Sequence, residues 1–179
     1  MPKGLFFAKV SVLIIVLFYM PFKIIDEQLV NSVAQTAQNS ALKRSLYVMH
    51  ESNDDKVHRL VSVIEPGSYL RPHRHLDPNK IEIFMILKGK LAVVEFAEDG
   101  RPSGHVILEA GKSPWGVEVP PASWHMSIAL EPDTTVFTIV EGPWDPKTHK
   151  KFPTWAPLAD DTQAVEAFVG KVRQELMLY

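Results

Sequence analysis

Between Val57 and Val140 the chain alternates apolar and polar residues in short runs, and each run is cut off by Gly, Pro, Asn or Asp. A period of two places successive side chains on opposite faces, so such runs are strands and not helices. "VHRLVSVIE" is the first, and Pro66-Gly67 turns the chain after it. "SYLRPHRH" is a second extended piece, followed by a turn at "DPN". "IEIFMILKG" and "LAVVEF" are separated at Gly89, and "EDGRPSG" forms a hairpin loop before "HVILEAG". "GVEV", "WHMSIAL" and "TTVFTIV" follow, separated by "PPAS" and "EPD". Seven or eight short strands joined by tight turns predict an all-β sandwich or small barrel. The 179 residues suit one such domain with a real core.

Helical spacing appears only outside this block. Leu29, Val30, Val33, Ala34 and Ala37 recur on one helical face, with Asp26 as N-cap and Ile25 against Val30 as a staple. A polar loop around "ESNDDK" then leads to the first strand. After the strands, "EGPWDPKTHKKFPTWAPLADD" is rich in proline and carries Trp144, Phe152 and Trp155, so it is expected to wrap the barrel as an ordered loop. Asp160 or Asp161 caps a last helix whose apolar stripe is Val165, Phe168, Val169, Val172 and Leu176. The expected organisation is a hydrophobic extension over 1–19, a helix and lead-in over 20–56, the barrel over 57–142, and a wrapping loop with a helix over 143–179.

The extension admits three readings. Its apolar run from Gly4 to Met20, broken by Lys9, is short for a membrane span. It has the basic start of a signal peptide without a clear small-residue cleavage site. The preferred reading is a start codon placed too early, because Met20 opens "MPFKIIDEQLV", a natural beginning for a cytoplasmic protein. The alternative location is the inner membrane, anchored through residues 4–20.

Chemistry concentrates in "GSYLRPHRHLDPNKIEIFMILKG". His73 and His75 are two apart on an extended segment and so share a side. Glu82 follows on a strand that is apolar on both faces, where an ionised carboxylate is costly unless it is paired or bound to a metal. His125 begins a distant strand after the "PPAS" turn. Three neutral imidazoles and one carboxylate suit one divalent transition metal, Fe, Mn, Ni, Co, Cu or Zn. Tyr69 and Arg71 are the catalytic candidates on the same alternation face: the phenol as proton donor or core residue, the guanidinium as partner of an anionic substrate or of an acidic neighbour. His50, His58, His105 and His149 are expected to be surface or hydrogen-bonding residues. The four tryptophans are expected to pack the core, with Trp155 and Phe152 as the best candidates for a pocket lid.

The spacing Gly67, five residues, His73-x-His75, Glu82, six residues and Gly89 resembles the first motif of the cupins, and "PPASWH" resembles the second. The gap from His75 to Glu82 is longer than usual. Ala122 stands where cupins usually have Gly, Pro114 replaces the leading Gly, and Ala129 replaces the trailing Asn. "KVHRLVSVIEPGSYLRPHRH", "VEVPPASWH" and "GPWDPKTHKKFPTWAP" are similar to the WbuC-type cupin fold metalloproteins of the RmlC-like superfamily. The resemblance implies a single cupin jelly-roll β-barrel with flanking helices and a metal on His73, His75, Glu82 and His125. It also implies a setting in bacterial surface-polysaccharide (O-antigen) gene clusters, and so an isomerase-like enzyme on a small sugar-derived or anionic metabolite. Two other expectations stay open: a metal-free sugar epimerase with a His base and a Tyr acid, and a non-catalytic cupin that binds a metal or ligand.

Composition removes whole classes of function. The absence of cysteine excludes disulfides, zinc-thiolate sites and cysteine nucleophiles. A net charge of −2 without a basic run argues against nucleic acid as partner. The outward face of "IEIFMILKG" needs cover, either from a homodimer or from the two helices.

Overall fold

The computed structural model describes residues 22–76 and 78–179. The apolar extension and Met20 lie outside them. Helix α1, Glu27–Asn39, begins where Asp26 accepts a hydrogen bond from Leu29 N at 2.9 Å, which satisfies one of the free amides of its first turn. Eight strands follow: β1 Arg44–Val48, β2 Val57–Ile64, β3 Glu82–Lys88, β4 Lys90–Phe96, β5 Pro102–Glu109, β6 Gly116–Val119, β7 Trp124–Ala129 and β8 Thr134–Glu141. Helix α2, Thr162–Glu175, is capped by Asp161, which accepts from Ala164 N at 3.0 Å.

The strands form two antiparallel sheets, five-stranded in the order β1-β2-β8-β3-β6 and three-stranded in the order β5-β4-β7. From β5 to β8 each successive strand lies in the other layer, as in a jelly roll. The expected all-β jelly roll with flanking helices is therefore present, although its two sheets do not close into a continuous barrel.

The core lies between the layers. Ile64, Phe84 and Val136 of the larger sheet meet Leu91, Val93 and Leu108 of the smaller. Each such side chain contributes about 1.5–3 kcal/mol on burial. Both outer faces are partly covered by helices. Val33, Ala34 and Ala37 of α1 pack on Val63 of β2. Val172 of α2, with Phe168 beside it, packs on Val94, Phe96 and Met126. This second contact explains the uniform burial of β7: Trp124, Met126 and Ile128 face α2, so His125 and Ser127 point between the sheets. Gly89 joins β3 to β4 at φ +73°, and a Cβ there would lie 2.7 Å from Thr134 Oγ1, so this turn requires glycine.

Two expectations need correction. "VHRLVSVIE" is not the first strand, because Arg44–Val48 precedes it and pairs along β2 from Arg44↔Ile64 to Val48↔Leu60. The outward face of β3 is not covered by the helices, since Met85 and Leu87 are 39% and 41% exposed. Among the described residues, no helix is long and apolar enough to cross a membrane.

Candidate metal centre

His73 and His75 reach the interior because their segment is held on both sides. His73 N donates to His125 O at 3.0 Å and His125 N returns the bond to His73 O at 2.9 Å, so the segment pairs along β7. Arg74 and Lys151 exchange the same two bonds, at 3.0 and 2.9 Å, which ties the wrapping loop to the other edge. The turn that launches His125 is fixed by Ala122 N donating to His75 O at 3.2 Å. Ala122 sits at φ +62°, in the left-handed region. Glycine adopts that region without penalty, whereas the alanine holds this turn at a cost of about 1–2 kcal/mol.

His73, His75, Glu82 and His125 are all buried, and one ligand atom from each lies within 4.8 Å of the others. Donors about 2.1 Å from a common ion stand roughly 3–4 Å apart. His75 Nε2 and His125 Nε2 lie 3.0 and 3.2 Å from Glu82 Oε2.

The tautomers are decided by the outer nitrogens. His73 Nδ1 lies 2.9 Å from Arg71 O, His75 Nδ1 2.6 Å from His149 O, and His125 Nδ1 3.0 Å from Ser123 O. A carbonyl only accepts, so all three Nδ1 atoms carry the proton and donate. In the neutral rings each Nε2 then presents a lone pair to the cluster. His73 Nε2 is buried with no protein partner. Lone pairs facing a carboxylate repel unless a cation stands among them, so the donor set fits a divalent metal. Burial, then the charge of Lys150 and the neighbouring His125, keep His73 neutral, well below its usual range. Burial opposes the charge on Glu82, and in the absence of a metal it is a proton donated from His125 and His75, with the charge of Lys150, that holds the carboxyl well below the usual carboxylate range; a bound cation would take the place of that proton.

A cleft of about 840 Å³ opens beside the cluster, with His73, Glu82, Leu60, Val140, Trp144 and Phe152 in its wall. Such a volume suits a metabolite-sized ligand. Phe152 stands 6.2 Å from His73, ring centre to ring centre, and is half exposed, as a lid residue would be. Trp155 instead packs against Phe96, Trp124 and Phe168 beneath α2, while Trp144 lines the cleft.

Tyr69 and Arg71 are not among the four clustered residues, although both share with His73 the wall of a smaller recess beside them. Tyr69 packs in the layer under α2 and donates to Pro157 O at 3.1 Å, and burial raises its phenol to about 12. Arg71 Nη2 donates to Pro153 O and Ala156 O at 3.1 and 3.0 Å, and its guanidinium lies 5.0 Å from the Phe152 ring centre. Pro72 breaks the alternation that would have aligned them with His73. His50 and His58 stack at 4.0 Å and also line the cleft. His149 was not expected at the site. Its carbonyl orients His75 and its ring stands 4.7 Å from that of His75. No spacing could have revealed it, because the contact is made through the backbone of an irregular loop.

Residues 25–108 match a family described as a domain of unknown function (DUF6016). No curated protein matches the sequence. Among solved structures, KdgF from Halomonas sp. is similar at 17% identity over 58% of this chain and 83% of its own, with a TM-score of 0.45. An RmlC-like cupin protein from Desulfovibrio desulfuricans is 17% identical over 55% of this chain and 81% of its own, with a TM-score of 0.42. The capsular polysaccharide assembling protein CapF from Staphylococcus aureus is 22% identical over 61% of this chain, with a TM-score of 0.49, and the match spans 29% of the CapF chain. The strand order and the two-layer core are those of a jelly roll.

Proposed function

We propose that this chain is a metal-dependent cupin enzyme in which His73, His75, Glu82 and His125 hold one divalent transition ion, Fe, Mn, Ni, Co, Cu or Zn. The observation that carries this reading is the convergence of three Nε2 lone pairs on the Glu82 carboxylate, with each Nδ1 committed to a backbone carbonyl. Its substrate is a small sugar-derived or anionic metabolite, and its reaction is isomerase-like, in bacterial surface-polysaccharide synthesis in the cytoplasm. The resemblance to the WbuC-type cupins supports that setting.

When bound, the metal would supply Lewis-acid polarisation of a substrate oxygen. The chain provides the rest. Leu60 and Val140 make an apolar wall that limits water beside the cluster. Phe152 and Trp144 border the cleft where the metabolite would enter. Tyr69 and Arg71 serve by fixing the loop that carries His149 and Phe152, as positioning residues.

The test is solvent-deuterium incorporation, followed by NMR, when metal-loaded protein is incubated in D2O with a panel of nucleotide sugars and sugar acids. The reading expects incorporation that disappears on metal removal and in His125→Ala. Incorporation that survives both would replace it with metal-free epimerisation. Tight binding of a panel member without exchange would replace it with a non-catalytic ligand-binding role.

A further inference from the structure

Beside the cluster, a recess of about 280 Å³ opens next to the main cleft. The two cavities share Arg44, Leu70, His73, Lys150 and Phe152 in their walls. Lys150 lies on the wrapping loop next to His149. Its charge is felt at His73, which it helps keep neutral, and at Glu82, whose carboxylate it helps keep ionised. Among the described residues, no carboxylate forms an ion pair with Lys150 or with Arg44. Arg44 makes three hydrogen bonds, to Leu42 O, Ser68 Oγ and Tyr69 O, and all three run through Nη1. Its Nη2 therefore has no protein partner among the described residues.

Two cations side by side in a cavity wall repel, and both lose hydration there. Burial lowers the pKa of each. Glu82 is the acidic group whose field supports Lys150, and in the proposed metal site its charge is already neutralised. The arrangement lacks one negative charge, and the recess is where it would sit.

We propose that Lys150, backed by Arg44, is the residue that recognises the substrate, and that the substrate is an oxyanion: a metabolite whose carboxylate or phosphate occupies the recess while the rest of the molecule passes His73 into the cleft. This rests on the reading of the cluster as a metal site that takes a small molecule, and it names the class of that molecule. Arg71 also stands in the wall of the recess, but its Nη2 is engaged on the two loop carbonyls, so it adds positive field there while Lys150 is the cation without an ion-pair partner.

The experiment is calorimetric titration of wild type, Lys150→Gln and Lys150→Arg with D-glucuronate, D-glucose 6-phosphate and D-glucose, with metal content measured on the same samples. Glucuronate and glucose differ at one carbon, so their comparison isolates the carboxylate, and glucose 6-phosphate distinguishes a phosphate source. At least one anion is expected to bind wild type about tenfold or more tightly than glucose. Lys150→Gln removes the difference, and Lys150→Arg keeps most of it. The inference is overturned if neither anion binds wild type more tightly than glucose, or if Lys150→Gln discriminates as well as wild type. Wild type without metal that still discriminates through Lys150 would sink the metal reading alone. Metal-loaded wild type without discrimination would sink this inference alone.

Discussion

Replacing Arg71 with Met removes the clamp that holds the wrapping loop on the jelly roll. The guanidinium donates two hydrogen bonds, to Pro153 O and Ala156 O, and covers the Phe152 ring. Hydrogen bonds from a charged donor contribute about 1.5–3 kcal/mol each, and a partly exposed cation over an aromatic ring adds about 0.5–1 kcal/mol. Arg71 is half-buried, so the freed carbonyls regain some water, and a net loss of about 3 kcal/mol is expected. For a domain of this size each kcal/mol moves the melting temperature by about 2–4 °C, which gives a fall of roughly 6–12 °C. The same loop supplies His149 O to His75 Nδ1, so metal affinity is expected to fall about 10-fold or more. Thermal denaturation, hydrogen exchange across 149–157 and metal titration read the three effects. Arg71→Lys keeps the charge but not the planar fork and should recover only part of them. A melting temperature unchanged in Arg71→Met, with unchanged exchange in the loop, would show that Arg71 does not hold the loop and would return it to the role of a substrate residue.

Three other perturbations separate the parts of the account. Glu82→Gln keeps the size of the side chain but loses the charge among the three Nε2 atoms, so metal affinity should drop by at least about 10-fold while secondary structure by circular dichroism stays unchanged. Gly142→Ala would place a Cβ 1.8 Å from Asp55 O and 2.8 Å from His58 Nε2, so the backbone must move and urea unfolding should show a loss of at least about 2 kcal/mol. His58 is held below its ordinary 6.5 by burial and by stacked His50, with Lys80 adding to this and the Asn53 carbonyl and Asp55 opposing it. The unfolded chain therefore binds the proton first, and the stability contributed by neutral His58 is present above about pH 6.5 and is lost as pH falls below that value. His58→Gln should flatten the slope of unfolding free energy between pH 6.5 and 5, and an unchanged slope would count against the assignment.

Much of this molecule is written in local patterns. The strands from Val57 to Val140 were legible because alternation and turn residues agree, and both helices because Asp26 and Asp161 cap them where their apolar stripes begin. The edge strand β1 was not, since three of its five residues are exposed and its pairing comes entirely from β2. The grouping of His73, His75, Glu82 and His125 could be inferred because alternation aims the histidines inward and a glutamate in an apolar strand needs a partner. The positions of Tyr69 and Arg71 could not, because Pro72 ends the alternation and irregular loop backbone supplies their acceptors. Lys150 and His149 depend on the same loop, whose course follows from tertiary contacts and not from any period in its sequence.

The measurement that bears most directly on the central claim is the metal content of the full chain, purified without a metal-affinity tag, by elemental mass spectrometry, beside His73→Ala and His125→Ala. The account predicts about one equivalent of a transition metal in the unaltered protein and a loss of most of it in both variants. No metal in the unaltered protein after supplementation with each candidate ion, or the same content in all three proteins, would contradict it.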